Sequence, residues 1–158
     1  MAEHFPLQAG RFWVYDSESS RGRRRVRVEV VSVEADGAVT RASGRSRVGE
    51  GPWLEFSVVE DAASLRVEGV VEFPLPPLVG AAWDAGGDAL RVESLRARAE
   101  VPAGNFTGCL RVVVLIAGGD SGTGERLYAP GVGLVRETLS DEGDPSERVL
   151  ISYGMSDG

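Results

Sequence analysis

Alternation of apolar and polar residues at every second position is the feature that most constrains this chain. Leu54, Phe56 and Val58 alternate with polar residues, and the same pattern recurs from Leu65 to Phe73, with Gly69 in the apolar register, and from Val149 to Tyr153. No window shows a convincing 3.6-residue period, so the pattern predicts strands with one buried and one solvated face. The predicted fold class is all-β.

Two long apolar segments change parity partway along their length. Residues Val26 to Val30 place their apolar side chains on one face, whereas Val31 and Val33 place them on the other. A similar change follows Val92. Such a change reverses inside and outside unless one residue is bulged, and bulged strands bend. We therefore expect curved antiparallel sheets that form either a half-open barrel or a two-sheet sandwich.

Turn signals separate the predicted strands. Asp36-Gly37 is a hairpin signal because glycine accepts a positive φ. Three further segments contain glycine with proline or other turn residues: 102–105, 118–124 and 130–133. The run from Cys109 to Ile116 is apolar at nearly every position, which predicts a central strand covered on both faces. Together these signals predict an all-β meander.

One short sequence pattern occurs twice. Phe5-Pro6-Leu7 is followed by Gly10 and Trp13, and Phe73-Pro74-Leu75 is followed by Gly80 and Trp83 with the same Gly-x-x-Trp spacing. The length of 158 residues is that of one domain, 1–158. Within it, the repeat predicts two related halves, 5–72 and 73–154, alongside the alternative of a chance match.

Composition excludes several classes of function. The 17 basic residues are all arginine, so chemistry that depends on lysine is absent. One cysteine, Cys109, and one histidine, His4, exclude a disulfide framework and the zinc sites built from several such residues. The net charge of −7 disfavours a nucleic-acid partner, and no apolar run is long enough for a membrane helix. We expect no metal and no cofactor.

The N-terminus has neither a basic segment nor an apolar segment of the kind found in signal peptides. The sequence as given therefore predicts a cytoplasmic protein, and an envelope protein if a signal sequence was removed.

Three local motifs are better explained by solvated loops than by chemistry. The string GDSG at 119–122 matches trypsin-like proteases, but its only available histidine, His4, is expected in an N-terminal tail. The arginines between Arg21 and Arg27 lack interleaved aromatic residues for base stacking. The acidic residues at 141–147 do not have the spacing of an EF-hand. Cys109 opens an apolar run and is expected to be a buried, inert thiol.

Three segments together resemble a set of uncharacterised bacterial β proteins. Residues 5–15 are similar to its FPLxxGxxWxY start, residues 101–112 to its VPAGxFxxC hairpin, and residues 128–135 to its YAPGVGLV segment. The resemblance implies a secreted protein or lipoprotein of the bacterial envelope, with no established catalytic site to carry over. The motif glycines and prolines also suit turns, so the motifs preserve a shape.

These observations predict a non-catalytic binding or structural β module, and in its sharper form a carrier of a hydrophobic ligand. Large aromatic side chains suit an apolar cavity wall, and the candidates are Trp13, Trp53, Trp83 and Tyr128.

Two other functions remain open. One is a module that binds a protein partner. The other is a hydrolase that uses carboxylates such as Glu55, Glu68 or Glu93, because the other usual catalytic groups are scarce.

Overall fold

A computed structural model of the chain describes residues 3–115, 123–140 and 145–156. These residues form twelve strands and, within those ranges, no helix. The strands are β1 (Arg11–Ser19), β2 (Gly22–Asp36), β3 (Val39–Val48), β4 (Leu54–Glu60), β5 (Ser64–Val67), β6 (Val70–Pro74), β7 (Ala82–Ala85), β8 (Asp88–Val101), β9 (Gly104–Leu115), β10 (Thr123–Ala129), β11 (Gly133–Leu139) and β12 (Ser146–Met155). The predicted all-β class is confirmed.

The twelve strands form one antiparallel meander that curls into a nearly closed barrel. Each strand pairs with its neighbours in sequence, and β1 pairs with β12, so the order is β6-β5-β4-β3-β2-β1-β12-β11-β10-β9-β8-β7. The unsealed seam lies between β6 and β7, whose edges are not paired. Of the two predicted arrangements, the half-open barrel is correct.

A tryptophan side chain crosses the seam. The Nε1–H of Trp83 on β7 donates a hydrogen bond of 3.1 Å to the carbonyl oxygen of Val71 on β6. The strands beside the seam are short, with four residues in β5, five in β6 and four in β7. Short edge strands leave few backbone groups exposed, which limits pairing with other chains.

The parity change in β2 is a β-bulge, as predicted. Val30 pairs with Gly44 and Ser32 with Ser43, so Val31 is the extra residue. Its side chain is 53% exposed. The predicted irregularity in β8 is also present, as three register shifts between Val92 and Ala99. Bulges increase local bending, which a curved barrel wall requires.

Three strand predictions differ from the structure. The segment from Leu65 to Phe73 is two strands, because Glu68 and Gly69 both have positive φ (52° and 78°) and form a hairpin turn. Strand β9 is not covered on both faces, since Leu115 is 60% exposed. In β12 the buried residue is Leu150, because a register shift opposite β1 reverses the expected parity.

The predicted turns at Asp36-Gly37, 102–105 and 130–133 are confirmed between β2 and β3, β8 and β9, and β10 and β11. The GDSG string at 119–122 lies outside the described residues, as do the acidic residues at 141–144. In the described part of the chain, no helix has the length and hydropathy needed to cross a lipid bilayer.

The N-terminal segment packs against the barrel, which corrects the prediction that His4 belongs to a tail. His4 is 6% exposed and Leu7 3% exposed. The Nε2 of His4 lies 3.3 Å from the carbonyl oxygen of Gly108, and the carbonyl of Glu3 accepts a 2.6 Å hydrogen bond from the backbone N–H of Gly131. Burial of the apolar side chains of this segment accounts for its position.

The two Phe-Pro-Leu segments share a local geometry. Gly10 and Gly80 both have φ of 92°, and their N–H groups donate hydrogen bonds of 2.9 Å to the carbonyls of Val30 and Val92, respectively. The origin of the two halves from one ancestor stays a prediction.

Candidate functional site

The first element of the candidate site is a carboxylate that a bulge in β6 turns inward. Leu65 pairs with Phe73 and Arg66 with Val71, so Glu72 is the extra residue between them. Its Oε2 accepts a 2.8 Å hydrogen bond from the hydroxyl of Tyr128 on β10. Because β6 and β10 are not neighbours in the sheet, this hydrogen bond crosses the barrel interior.

An arginine joins this carboxylate to a second one. The Nε of Arg126 lies 2.8 Å from Oε2 of Glu137 on the adjacent strand, and its Nη1 lies 3.7 Å from Oε1 of Glu72. Burial lowers the pKa of the Arg126 guanidinium, but its electrostatic interactions with Tyr128 and with the carboxylates of Glu72 and Glu137 raise the pKa by more, so the net shift is upward. We call Glu72, Arg126, Tyr128 and Glu137 the interior polar cluster.

An apolar cavity of about 270 Å³ lies beside this cluster. Strands β1 to β6 supply most of its wall, and the N-terminal segment, the start of β11 and one residue of β12 supply the rest. Its lining is mainly aromatic and branched apolar, with two charged residues: Phe5, Trp13, Tyr15, Val26, Val28, Ser46, Val48, Phe56, Val67, Glu72, Gly133, Leu134 and Arg148. Val48 is 44% exposed, so the cavity reaches the surface near the end of β3.

The β10–β11 turn is held on the cavity wall by two side chains of β1. The indole Nε1–H of Trp13 donates a 2.6 Å hydrogen bond to the carbonyl of Val132, and the hydroxyl of Tyr15 donates a 2.8 Å hydrogen bond to the carbonyl of Leu134. Both aromatic side chains are almost fully buried. The segments 5–15 and 128–135, which are distant in sequence, therefore build one wall together.

A second and larger cavity, of about 560 Å³, is less suited to an apolar ligand. Its lining includes Glu3, His4, Glu60 and Asp61 alongside apolar residues. The Asp61 carboxylate accepts hydrogen bonds from two backbone N–H groups, which hold its pKa below the usual value. The smaller cavity is the better candidate for a ligand site, because an apolar wall with few polar groups is typical of sites that bind small molecules.

Of the four aromatic residues predicted to line a cavity, Trp13 is in the lining of this one and Tyr128 is not. Tyr128 belongs to the adjacent polar cluster. Trp53 instead lies beside two arginines, with the guanidinium carbons of Arg45 and Arg47 at 4.1 Å and 5.1 Å from its ring centroid. Trp83 lies at the seam. Neither of these tryptophans lines the cavity.

Two charged cavity residues, Glu72 and Arg148, were missed by the sequence analysis. If the two-residue period of Leu65 to Phe73 is continued through the Glu68-Gly69 turn, Glu72 falls on the solvated face of the strand. The bulge in β6 turns its side chain inward instead. Arg148 falls on the solvated face if the predicted alternation of Val149, Ile151 and Tyr153 is continued. For Arg148 the sequence contains no signal, because its direction depends on the pairing of β12 with β1 and β11.

The other reactive groups considered in the sequence analysis do not line this cavity. Cys109 is fully buried, and burial raises the pKa of its thiol. Glu55, Glu68 and Glu93 are exposed, and Glu93, paired with Arg91, borders a different surface hollow from the other two. No group of three His, Cys, Asp or Glu in these ranges is placed to hold a metal ion.

Comparison with solved structures identifies the same general fold in bacterial proteins. A candidate exported protein of Bacteroides fragilis with a YmcC-like fold has a TM-score of 0.68 and 13% sequence identity, over 98% of this chain and 100% of that one. A candidate lipoprotein of Parabacteroides distasonis has a TM-score of 0.64 and 16% identity, over 97% and 99%. No family model and no curated protein sequence matches the chain.

At these identities the likeness establishes the fold alone. The descriptions of the two neighbours as an exported protein and a lipoprotein agree with the resemblance to bacterial envelope proteins.

The buried tyrosines make stability sensitive to alkaline pH. Burial raises the pKa of both Tyr15 and Tyr128, and the charge of Glu72 adds to the shift at Tyr128. Their stabilisation is fully present below about pH 10, where tyrosine in the unfolded chain ionises, and is lost as pH rises further. We expect the free energy of unfolding to fall by up to about 1.4 kcal/mol per pH unit for each tyrosine.

Urea unfolding between pH 8 and 11 tests this expectation, with Tyr15→Phe giving a shallower decline than the parent chain. Both proteins contain Cys109, so the contribution of its thiol to the pH dependence cancels when their slopes are compared. Equal slopes in the two proteins would contradict the role given to Tyr15.

Proposed function

We propose that the interior cavity binds a small, mostly apolar molecule, and that the chain acts as a non-catalytic ligand-binding protein. The observation that carries this proposal is the cavity of about 270 Å³ beside Trp13, with a wall mostly of aromatic and branched apolar side chains. A mostly apolar wall with a few polar groups is typical of sites that bind small molecules, and the opening near Val48 gives a ligand access to this one.

The cavity volume limits the ligand to a small molecule. It equals the liquid volume of about nine water molecules at roughly 30 Å³ each. Because Val26, Val28 and Val67 have apolar side chains, the favourable free energy of binding comes mainly from burial of the apolar surface of the ligand. We therefore expect dissociation constants between about 10 µM and 1 mM for a well-fitting small molecule.

An envelope location forms part of the same proposal. A carrier of apolar molecules is useful where such molecules must cross an aqueous compartment, and the descriptions of both structural neighbours support that location. Purification of the chain from its own host, followed by native mass spectrometry, would identify the co-purifying molecule.

A direct test fills the cavity with a side chain. Val28 lies on β2 opposite Trp13 and lines the cavity, so Val28→Trp places an indole where the ligand would lie. With 1-octanol as the probe, we expect calorimetric titration to show affinity weakened at least about tenfold. The matched control is Val31→Trp, on the same strand, where the bulged side chain is 53% exposed.

Methyl NMR spectra locate the bound probe independently. We expect 1-octanol to shift the methyl signals of Val26, Val28 and Val67, and to leave the exposed methyls of Val31 unshifted. Absence of binding by the parent chain, or equal weakening in Val28→Trp and Val31→Trp, would contradict the proposal.

A further inference from the structure

The cavity wall contains two charged side chains, Glu72 and Arg148, and the two differ in their partners. Arg148 on β12 faces Ser17 on β1 and Glu137 on β11 in the register of the sheet. Its guanidinium lies over the ring of Tyr15, with the guanidinium carbon 5.6 Å from the ring centroid. Arg148 therefore occupies the inner face of the barrel at the cavity boundary.

Two carboxylates in this region, that of Glu137 opposite Arg148 and that of Glu72 in the same cavity wall, are already engaged by other groups. Glu137 lies 2.8 Å from Nε of Arg126, and Glu72 accepts the Tyr128 hydroxyl while lying 3.7 Å from Nη1 of Arg126. The Nε of Arg148 is buried and has no hydrogen-bond partner among the described residues.

A neighbouring arginine makes the contrast clear. The Nε of Arg136 is also buried without a partner in the described ranges, but its Nη2 lies 2.6 Å from Glu147 in an ion pair. That pair is more than one-third exposed at both side chains and lies outside the cavity lining. Of these two arginines, only Arg148 lines the cavity.

An arginine side chain that lines a mostly apolar cavity suits an anionic group on the ligand. Hydrogen bonds from guanidinium to carboxylate are about twice as strong as neutral ones, and the planar fork of arginine matches the two oxygens of a carboxylate. The ring of Tyr15 supports the guanidinium from one side by a cation–π contact, so less side-chain entropy is lost when a ligand binds.

We infer that the ligand of this cavity is a small carboxylic acid with an apolar body, bound with its carboxylate on Arg148 and its apolar part against Val26, Val28 and Phe56. This inference rests on the proposed function, because it specifies the chemistry of the same cavity. It accounts for the presence of a guanidinium in a wall that is mostly apolar and in which Glu72 is the other charged residue.

The test compares two probes that differ only in their head group, octanoate and 1-octanol, by calorimetric titration at pH 7. We expect the parent chain to bind octanoate about tenfold or more tightly than 1-octanol. Arg148→Met is expected to abolish this preference while 1-octanol affinity stays within about threefold of the parent value. Arg148→Lys is expected to retain part of the preference, because it keeps the charge and loses the fork.

The matched control is Arg91→Met, on the outer face of β8, where the arginine side chain is 57% exposed. It should leave both affinities unchanged. Binding of 1-octanol by Arg148→Met shows that this variant is folded. A parent chain that binds 1-octanol as tightly as octanoate, or an Arg148→Met chain that keeps the preference, overturns the inference and leaves the proposed function standing. Failure of both probes to bind overturns the two together.

Discussion

Replacing Gly133 by alanine is expected to lower the free energy of unfolding by about 3–4 kcal/mol, since it combines backbone strain with a steric conflict. Gly133 has φ of 116°, which L-residues rarely adopt. A Cβ there would lie 3.0 Å from Nε1 and 3.3 Å from Cε2 of Trp13. The indole cannot move away freely, because it is buried and donates a hydrogen bond to Val132.

Gly131, two residues earlier in the same turn, separates backbone strain from steric conflict. Gly131 has φ of 75°, but a Cβ at that position meets nothing within 4 Å. Gly131→Ala therefore measures backbone strain alone, at roughly 1 kcal/mol. Urea unfolding of both variants, monitored by circular dichroism, gives the comparison. Equal losses in the two variants would mean that contact with Trp13 contributes nothing at this turn.

The same variants test the cavity. Gly133 and Trp13 both line it, so displacement of the indole in Gly133→Ala changes the shape of the wall. We expect 1-octanol affinity to decrease in Gly133→Ala and to remain close to the parent value in Gly131→Ala. A stability loss in Gly133→Ala without any change in affinity would place the indole outside the functional wall.

Local features of the fold could be predicted from the sequence because local residues determine them. The bulge at Val31 follows from a parity change inside one apolar run, and the Asp36-Gly37 turn follows from the backbone freedom of glycine. The closure of the barrel could not be predicted. Pairing of β1 with β12 joins residues between 129 and 144 positions apart, from Glu18 with Glu147 to Arg11 with Met155, and strand periodicity contains no information about which strands pair.

The candidate site depends on those non-local pairings, so little of it could be predicted. Of the four aromatic residues that line the cavity, Phe5, Trp13, Tyr15 and Phe56, the sequence analysis named only Trp13 as a lining residue. Trp13 and Tyr128 were selected for their size, and large aromatic side chains usually find a buried place in a fold. Size did not distinguish them from Trp53, which contacts two arginines instead. The inward direction of Glu72 depends on a bulge opposite β5, which the sequence pattern hides.

Replacing Arg126 by methionine is expected to lower the free energy of unfolding by about 3 kcal/mol, because it leaves two carboxylates inside the barrel without their cation. The side chains of Arg126, Glu72 and Glu137 are only 24%, 21% and 21% exposed. Water therefore compensates the remaining charges poorly. Hydrogen bonding by Tyr128 still supports Glu72, so the loss falls at the lower end of the range for buried ion pairs.

A chemically equivalent pair on the barrel exterior is the control. Arg111 on β9 lies 2.7 Å from Glu125 on β10, through the same Nε-to-carboxylate contact, but the arginine is 43% exposed. Arg111→Met should cost less than about 1 kcal/mol. Both losses are measured by urea unfolding at pH 7, where all the carboxylates are ionised in the unfolded chain.

The cause of the larger loss is tested by removing the stranded charge. If uncompensated charge is responsible, adding Glu137→Gln to Arg126→Met restores part of the lost stability, although Glu137→Gln alone is destabilising. A double variant that loses the sum of the two single losses would instead assign the effect to packing of the arginine stem against the barrel wall. In that case Arg126 holds Glu72 and Tyr128 in place by packing, and the charge on Arg148 is the one electrostatic feature that the proposed ligand requires.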